Sequence, residues 1–163
     1  MKLFLALLAL VLFAQDASAQ AVVFLVRHAE KADPESKDPD LSAEGRSRAE
    51  ALAQIVKDVG VTAIFATEFK RTQQTAAPLS KLTSIPIKTV PAKDTAALIA
   101  KLKKTQGSVL VVGHSNTLPE IIRALGVREP ITIPDTAYDD LFVVKTETSP
   151  PELIHRQYSD KEK

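Results

Sequence analysis

The chain has 163 residues, 21 basic and 20 acidic side chains, and neither cysteine nor tryptophan. A formal net charge of +1 excludes a polybasic surface, so neither nucleic acid nor anionic membrane is an expected partner. Without cysteine there are no disulfides, thiol nucleophiles or thiolate metal sites, and the scarce aromatics give little platform for stacking sugars or bases.

Met1 and Lys2 form a minimal positive start, residues 3–13 are apolar, and Ala17-Ser18-Ala19 has the small-residue pattern that signal peptidase cleaves. The apolar run is shorter than the roughly 20 residues of a spanning helix, and no cysteine follows it for lipid attachment. The sequence therefore predicts a signal peptide over residues 1–19, cleaved before Gln20. The mature protein would be exported, periplasmic or secreted, with no stable membrane association afterwards. Residues 20–163 suit one domain with a packed core, and no repeat or linker divides them.

Residues 21–26 are uninterruptedly apolar, the pattern of a strand buried on both faces at the centre of a parallel sheet. The run stops at Arg27-His28. Residues 32–40, rich in Asp and Pro, read as a solvated loop. A helix follows with Ser42 as N-cap and Glu44 in its first turn; Ala49, Leu52, Ala53 and Val56 recur at helical spacing, and Gly60 stops it. Residues 61–66 form a second buried strand ending at Thr67-Glu68-Phe69-Lys70-Arg71. The next helix spans about 71–81, with Ala76, Leu79 and Leu82 inward. Residues 85–90 read as an edge strand because Pro86 cannot donate to a ladder. Asp94 or Thr95 caps a helix carrying Ala97, Leu98, Ala100 and Leu102, which Gly107 ends. Residues 109–112 form another buried strand and deliver Gly113-His114-Ser115. A helix over 117–125 with Gly126 at its end, then strands over 141–145 and 153–158, complete the chain. Alternating strands and helices predict an α/β fold, a single-domain three-layer αβα sandwich on a mostly parallel sheet.

Three strands end in reactive residues: Arg27-His28, the segment up to Arg71, and His114. Parallel strands bring such ends to one edge, where open α/β sheets bind ligands. Two histidines and two arginines around one crevice suit phosphoryl transfer. Guanidinium groups hold phosphate through paired charge-assisted hydrogen bonds, and an imidazole can carry a phosphoryl group. Cationic side chains that hold the equatorial oxygens remove the need for a metal. By itself Arg-His is a common surface dipeptide; only the convergence makes it a site.

Leu25-Val26-Arg27-His28-Ala29-Glu30 resembles the Arg-His-Gly signature of the histidine phosphatase superfamily, with Ala29 where Gly is usual. Leu41-Ser42-Ala43-Glu44-Gly45 is similar to that family's Leu-Ser/Thr-x-x-Gly helix start. Thr67-x-x-x-Arg71-Thr72-Gln73-Gln74-Thr75-Ala76 resembles Ser-x-x-x-Arg-Ala-x-Gln-Thr-Ala, and Val112-Gly113-His114-Ser115 the motif of the second histidine. The resemblance implies the phosphoglycerate-mutase-like fold and a histidine phosphatase domain over 20–163. It implies hydrolysis of small phosphomonoesters through a phosphohistidine on His28, with no metal or cofactor. Arg27, Arg71, His114 and the backbone N–H of Ser115 would bind the phosphate.

The general acid is the open role. Larger family members carry a Glu between the second-arginine motif and the second histidine, whereas residues 72–113 here contain one carboxylate, Asp94. Asp94 is either the donor or a helix cap; the acid comes from elsewhere, or there is none. Glu30 is a further candidate acid or a partner for Lys31 or an arginine. Asp140 and its neighbour Asp139 line the crevice or form a solvated turn, and Glu68 is read as capping the Arg71 helix. Without an acid the substrates would have good leaving groups, phosphoramidates and protein phosphohistidine among them, or the chain would be a weak phosphate-ligand-binding protein. His155 reads as a surface-strand histidine, and lysines 101, 103 and 104 as a solvated helix face.

Overall fold

A computed structural model describes residues 21–158; the expected signal peptide, residues 1–19, lies outside them. The first strand, β1 (Ala21–Arg27), leads to α1 (Ala43–Val56), β2 (Val61–Thr67), α2 (Lys70–Thr83), β3 (Ile87–Val90) and α3 (Thr95–Leu102). Then come β4 (Gly107–Gly113), α4 (Leu118–Ala124), β5 (Asp140–Lys145) and β6 (Glu152–Gln157). The six strands form one sheet in the order β3-β2-β4-β1-β5-β6. Its first four strands are parallel, β5 runs against β1, and β6 runs against β5. The sheet is therefore mostly parallel, with β3 at one edge as expected, although it begins at Ile87, after Pro86.

Strand alternation sorts the core into two layers. Val23 and Leu25 of β1 pack with Phe65, Val111, Leu98 and Leu102 of α3, and Leu118 and Ile122 of α4. Phe24 and Val26 face the other way, onto Leu52 and Val56 of α1 and Ala76 and Leu79 of α2. Two helices thus cover each face, which makes the αβα sandwich. Continuing the same alternation, Arg27 leaves β1 on the α3–α4 side.

Several local expectations need correction. Leu82 is 53% exposed, not inward. Ala76, Leu79 and Leu82 step by three residues, so each lags about 60° on a 3.6-residue helix and the third rotates out to solvent. Gly107 does not end α3, which closes at Leu102 with Lys103 as cap; it opens β4 at φ +83. A Cβ there would lie 2.8 Å from Thr62 Cγ2, so glycine lets β2 and β4 approach where β2 shifts register. Ser42 does cap α1, its Oγ accepting from Gly45 N–H at 3.0 Å. Gly45 packs its α-carbon against the Glu30 backbone, and any Cβ would collide with the Glu30 carbonyl. That contact sets α1 directly behind the end of β1.

Candidate active site

Three adjacent strands, β2, β4 and β1, present their carboxyl ends at one edge. Arg27, His28, Thr67 and His114 are all buried there, at 6, 4, 6 and 8% exposure. The His28 and His114 rings lie with centroids 5.5 Å apart in an edge-on arrangement. The backbone N–H of His28 donates to the Gly113 carbonyl at 3.0 Å, so the two histidine-bearing strand ends are stitched together. The structure therefore brings Arg27, His28 and His114 to one place, and Arg71, from the first turn of α2, is close enough to act electrostatically on both imidazoles.

Each imidazole is held by one specific bond. His28 Nδ1–H donates to the Ala29 carbonyl at 2.8 Å, which assigns the proton to Nδ1 and leaves the Nε2 lone pair for chemistry. His114 Nε2 lies 3.0 Å from Thr67 Oγ1, which lies 2.8 Å from Thr72 Oγ1. Thr72 donates to the Phe69 and Thr67 carbonyls at 2.8 and 3.0 Å, so its oxygen is free to accept from Thr67. Thr67 in turn accepts from His114 Nε2–H. Thr75 completes the scaffold: its Oγ1 accepts from Ala29 N–H at 3.0 Å and donates to the Arg71 carbonyl at 2.7 Å.

Burial is the main force on both rings. It pushes His28 down to about 3, helped by Arg27, Arg71 and His114, with the Ala29 bond opposing. His114 falls to about 4 through burial, Arg71 and Arg27, against an upward pull from Glu68. Both are neutral, and hence nucleophilic or proton-accepting, near neutral pH. Burial also lowers Arg71 from its ordinary value, with Asp38 and Glu68 pulling upward; its guanidinium stays charged.

The arginines are incompletely satisfied. Arg27 Nη1 donates to the Pro134 and Ala137 carbonyls at 3.2 and 3.3 Å, and its guanidinium lies 4.2 Å from the Tyr138 ring centre. Arg71 stacks on Phe69 at 4.4 Å and donates to the Lys37 carbonyl at 3.5 Å. Yet the Nε atoms of both arginines are buried without a hydrogen-bond partner. A buried donor left unmade costs about 1–3 kcal/mol, a cost that a bound anion removes. Among the described residues no cluster of three or more His, Asp and Glu side chains could hold a metal ion.

The other residues singled out from sequence lie elsewhere or do something else. Asp94 is exposed and caps α3, its Oδ1 accepting from Ala97 N–H at 2.9 Å. Glu30 Oε1 accepts from Arg48 Nε at 2.6 Å, with Arg48 Nη2 also at 2.6 Å, so its partner is an arginine 18 residues on. Asp140 pairs with His155 Nε2 at 2.7 Å, and that imidazole stacks on Phe142. Glu68 does not cap α2: its Oε2 accepts from Ala92 N–H at 2.7 Å, while Phe69 holds the cap position. Ser115 precedes α4 by three residues, in a turn, and its hydroxyl donates to Asp135 at 2.8 Å. No hydrogen bond from its backbone N–H places it on the site.

Sequence reasoning missed Thr67 and Thr72 as supports of His114, Thr75 behind His28, and Tyr138 against Arg27. The two threonines in α2 lie inside the Thr67–Ala76 motif at positions where buried hydroxyls have no other reason to be, a signal that was available. Tyr138 lies in a loop with no pattern around it. A larger hollow between α1 and α2, lined by Arg46, Glu50, Gln74, Pro78 and Lys81, contains none of these groups.

The fold and site define a class. Residues 23–94 match the family model of the histidine phosphatase superfamily, branch 1. The chain superposes on the protein histidine phosphatase SixA complexed with tungstate, with TM-score 0.67 and 21% identity over 85% of this chain and 97% of that one. A mycobacterial glucosyl-3-phosphoglycerate phosphatase holding inorganic phosphate gives TM-score 0.66 at 13% identity, over 87% and 99% of the two chains. A phosphoserine phosphatase from Entamoeba histolytica in complex with 3-phosphoglyceric acid gives 0.65 at 13%, over 87% and 98%. No curated protein sequence matches the chain. Residues 23–94 thus resemble the histidine phosphatase superfamily, and the described chain has the phosphoglycerate-mutase-like fold of the structures it superposes on.

Proposed function

We propose that the protein is a phosphatase that passes the phosphoryl group of a small substrate through His28. The observation that carries this is the pair of buried, unpartnered Arg27 and Arg71 Nε–H donors beside two neutral imidazoles 5.5 Å apart. Arg27, Arg71 and His114 grip the three phosphoryl oxygens. His28 Nε2 attacks phosphorus as the bond to the leaving group breaks, and that bond's electron pair departs with the leaving group. The phosphorylated ring keeps its Nδ1 proton, and the Ala29 carbonyl stabilises its positive charge. Water then attacks phosphorus, loses a proton, and returns the electron pair to Nε2, freeing inorganic phosphate. His114, neutral in the free protein, takes up a proton as the anion enters, because an adjacent negative charge favours the imidazolium.

No carboxylate among the described residues hydrogen-bonds to either imidazole, and Asp94 is occupied as a cap. This favours substrates whose leaving group departs without strong protonation: aryl and acyl phosphates, and phosphoramidates such as phosphohistidine. The likeness to SixA points the same way. Residues 1–19 would export the protein to the periplasm or medium; mass spectrometry of the secreted form should find Gln20 at its start.

The test is chemical trapping. Brief incubation with a radiolabelled aryl phosphate, followed by denaturation, should leave acid-labile, base-stable label on His28. Phosphate binding without label or turnover would reduce the protein to a phosphate-ligand binder and end the proposal.

A further inference from the structure

Arg48 is a buried cation outside the phosphate crevice, 9% exposed on α1. Its Nε and Nη2 both contact Glu30 Oε1 at 2.6 Å, and Glu44 one turn earlier stands 3.7 Å away with a side chain 66% exposed. Tyr158, 5% exposed, feels the charges of both Arg48 and Glu30. A buried ion pair seldom stabilises a fold more than an apolar pair of the same volume would. Its placement suggests another use: Glu30 is two residues beyond His28.

The peptide between them carries the acceptor of the His28 ring, the Ala29 carbonyl. That turn is fastened at three points. Ala29 N–H donates to Thr75 on α2, Ser42 N–H donates to the Glu30 carbonyl at 2.9 Å, and the Glu30 side chain reaches Arg48 on α1. Thr75 fixes where the turn begins, and Arg48 fixes where its last side chain goes.

We propose that Arg48 is a positioning residue: by holding Glu30 it holds the Ala29 carbonyl where it keeps the His28 proton on Nδ1 and the Nε2 lone pair toward the phosphate. This rests on the reading of His28 as nucleophile. It assigns Glu30 a supporting part, its Oε1 accepting from the guanidinium. A lysine at position 48 supplies the charge but not the fork, so it should hold the turn less well.

Arg48→Lys and Arg48→Met are compared by steady-state kinetics, by the rate of phosphohistidine formation, and by NMR of the His28 ring nitrogens, which reports the tautomer. We expect kcat and the labelling rate to fall about a hundredfold in the Met variant. The Lys variant should lie between it and wild type. KM should change little, and the His28 signal should become a mixture of tautomers. A folded Met variant with wild-type kcat and one Nδ1–H tautomer overturns the inference. If that variant does not fold, Glu30→Gln/Arg48→Met removes the uncompensated charge, and the same two readings decide. Failure of wild-type protein to label at all refutes the nucleophile, a result distinct from an Arg48 variant that labels normally.

Discussion

Arg48 and Arg27 are buried and Arg71 half-buried within one small domain, but Arg48 is satisfied differently from the other two. Arg48 gives two donors to one carboxylate at 2.6 Å. Arg27 and Arg71 spend donors on backbone carbonyls and stack on aromatic rings, and each keeps a buried Nε–H with nothing to bond. Folding gives the first guanidinium a carboxylate at short range and leaves a donor of each of the others unmet. The first arginine is closed on a carboxylate; the other two stay open.

The contrast can be broken most severely at the nucleophile. His28→Ala should lower turnover of an aryl phosphate by about 10^4-fold or more, measured under saturating substrate; activity within about tenfold of wild type would remove His28 from the mechanism. Next come the open arginines. Arg71→Met should cost about 10^2–10^3-fold in kcat/KM while leaving stability unchanged or raised, since an unmet buried donor disappears. Arg48→Met should show the inverse balance in denaturant titrations, losing about 3 kcal/mol because Glu30 is left buried and unpaired. If both substitutions destabilise equally, the distinction between open and closed arginines fails.

The pH response sharpens the same comparison. The folded protein keeps His28 neutral down to about 3 and His114 down to about 4, whereas unfolded histidines take protons from their ordinary value of 6.5. Their folded values are depressed, so the stability they permit is complete above 6.5 and is lost as pH falls toward those values. Denaturation across that window should show falling stability on acidification, with a shallower slope in His28→Ala. After allowance for ionisation of the substrate, the acid limb of kcat/KM should follow the nucleophile His28, at about 3, well below ordinary histidine. The smallest effect is expected at Asp38, which stands 3.9 Å from Arg71 and accepts from Lys70 N–H. Asp38→Asn should lower KM about two- to threefold by freeing Arg71 for the anion.

Much of this arrangement was legible before any coordinates. An uninterrupted apolar run ending in two polar residues reads as a buried strand delivering them to an edge, and three such ends converge once the sheet is parallel. The mixed layers of the core follow from strand alternation. What could not be read are contacts that depend on rotation or long-range partnership. Leu82 fell on the wrong side because steps of three drift around a helix. Glu30 and Arg48 are 18 residues apart on different elements, and no local pattern marks them as a pair. Asp94 illustrates a deeper limit: a carboxylate before a helix looks the same whether it caps or gives protons, and its bond to Ala97 N–H appears only in three dimensions. Tyr138 and Asp135 sit in a stretch with no periodicity, so their approach to Arg27 left no trace in the sequence.

The pairing of β1 with β4 joins Arg27 to Gly113 across most of the described chain. During synthesis on the ribosome, His28 emerges early and then waits for its counterpart imidazole while three further strands and three helices are made. A product that stops before residue 114 lacks the second imidazole, so the cluster at the sheet edge is complete only once β4 has been made and paired with β1.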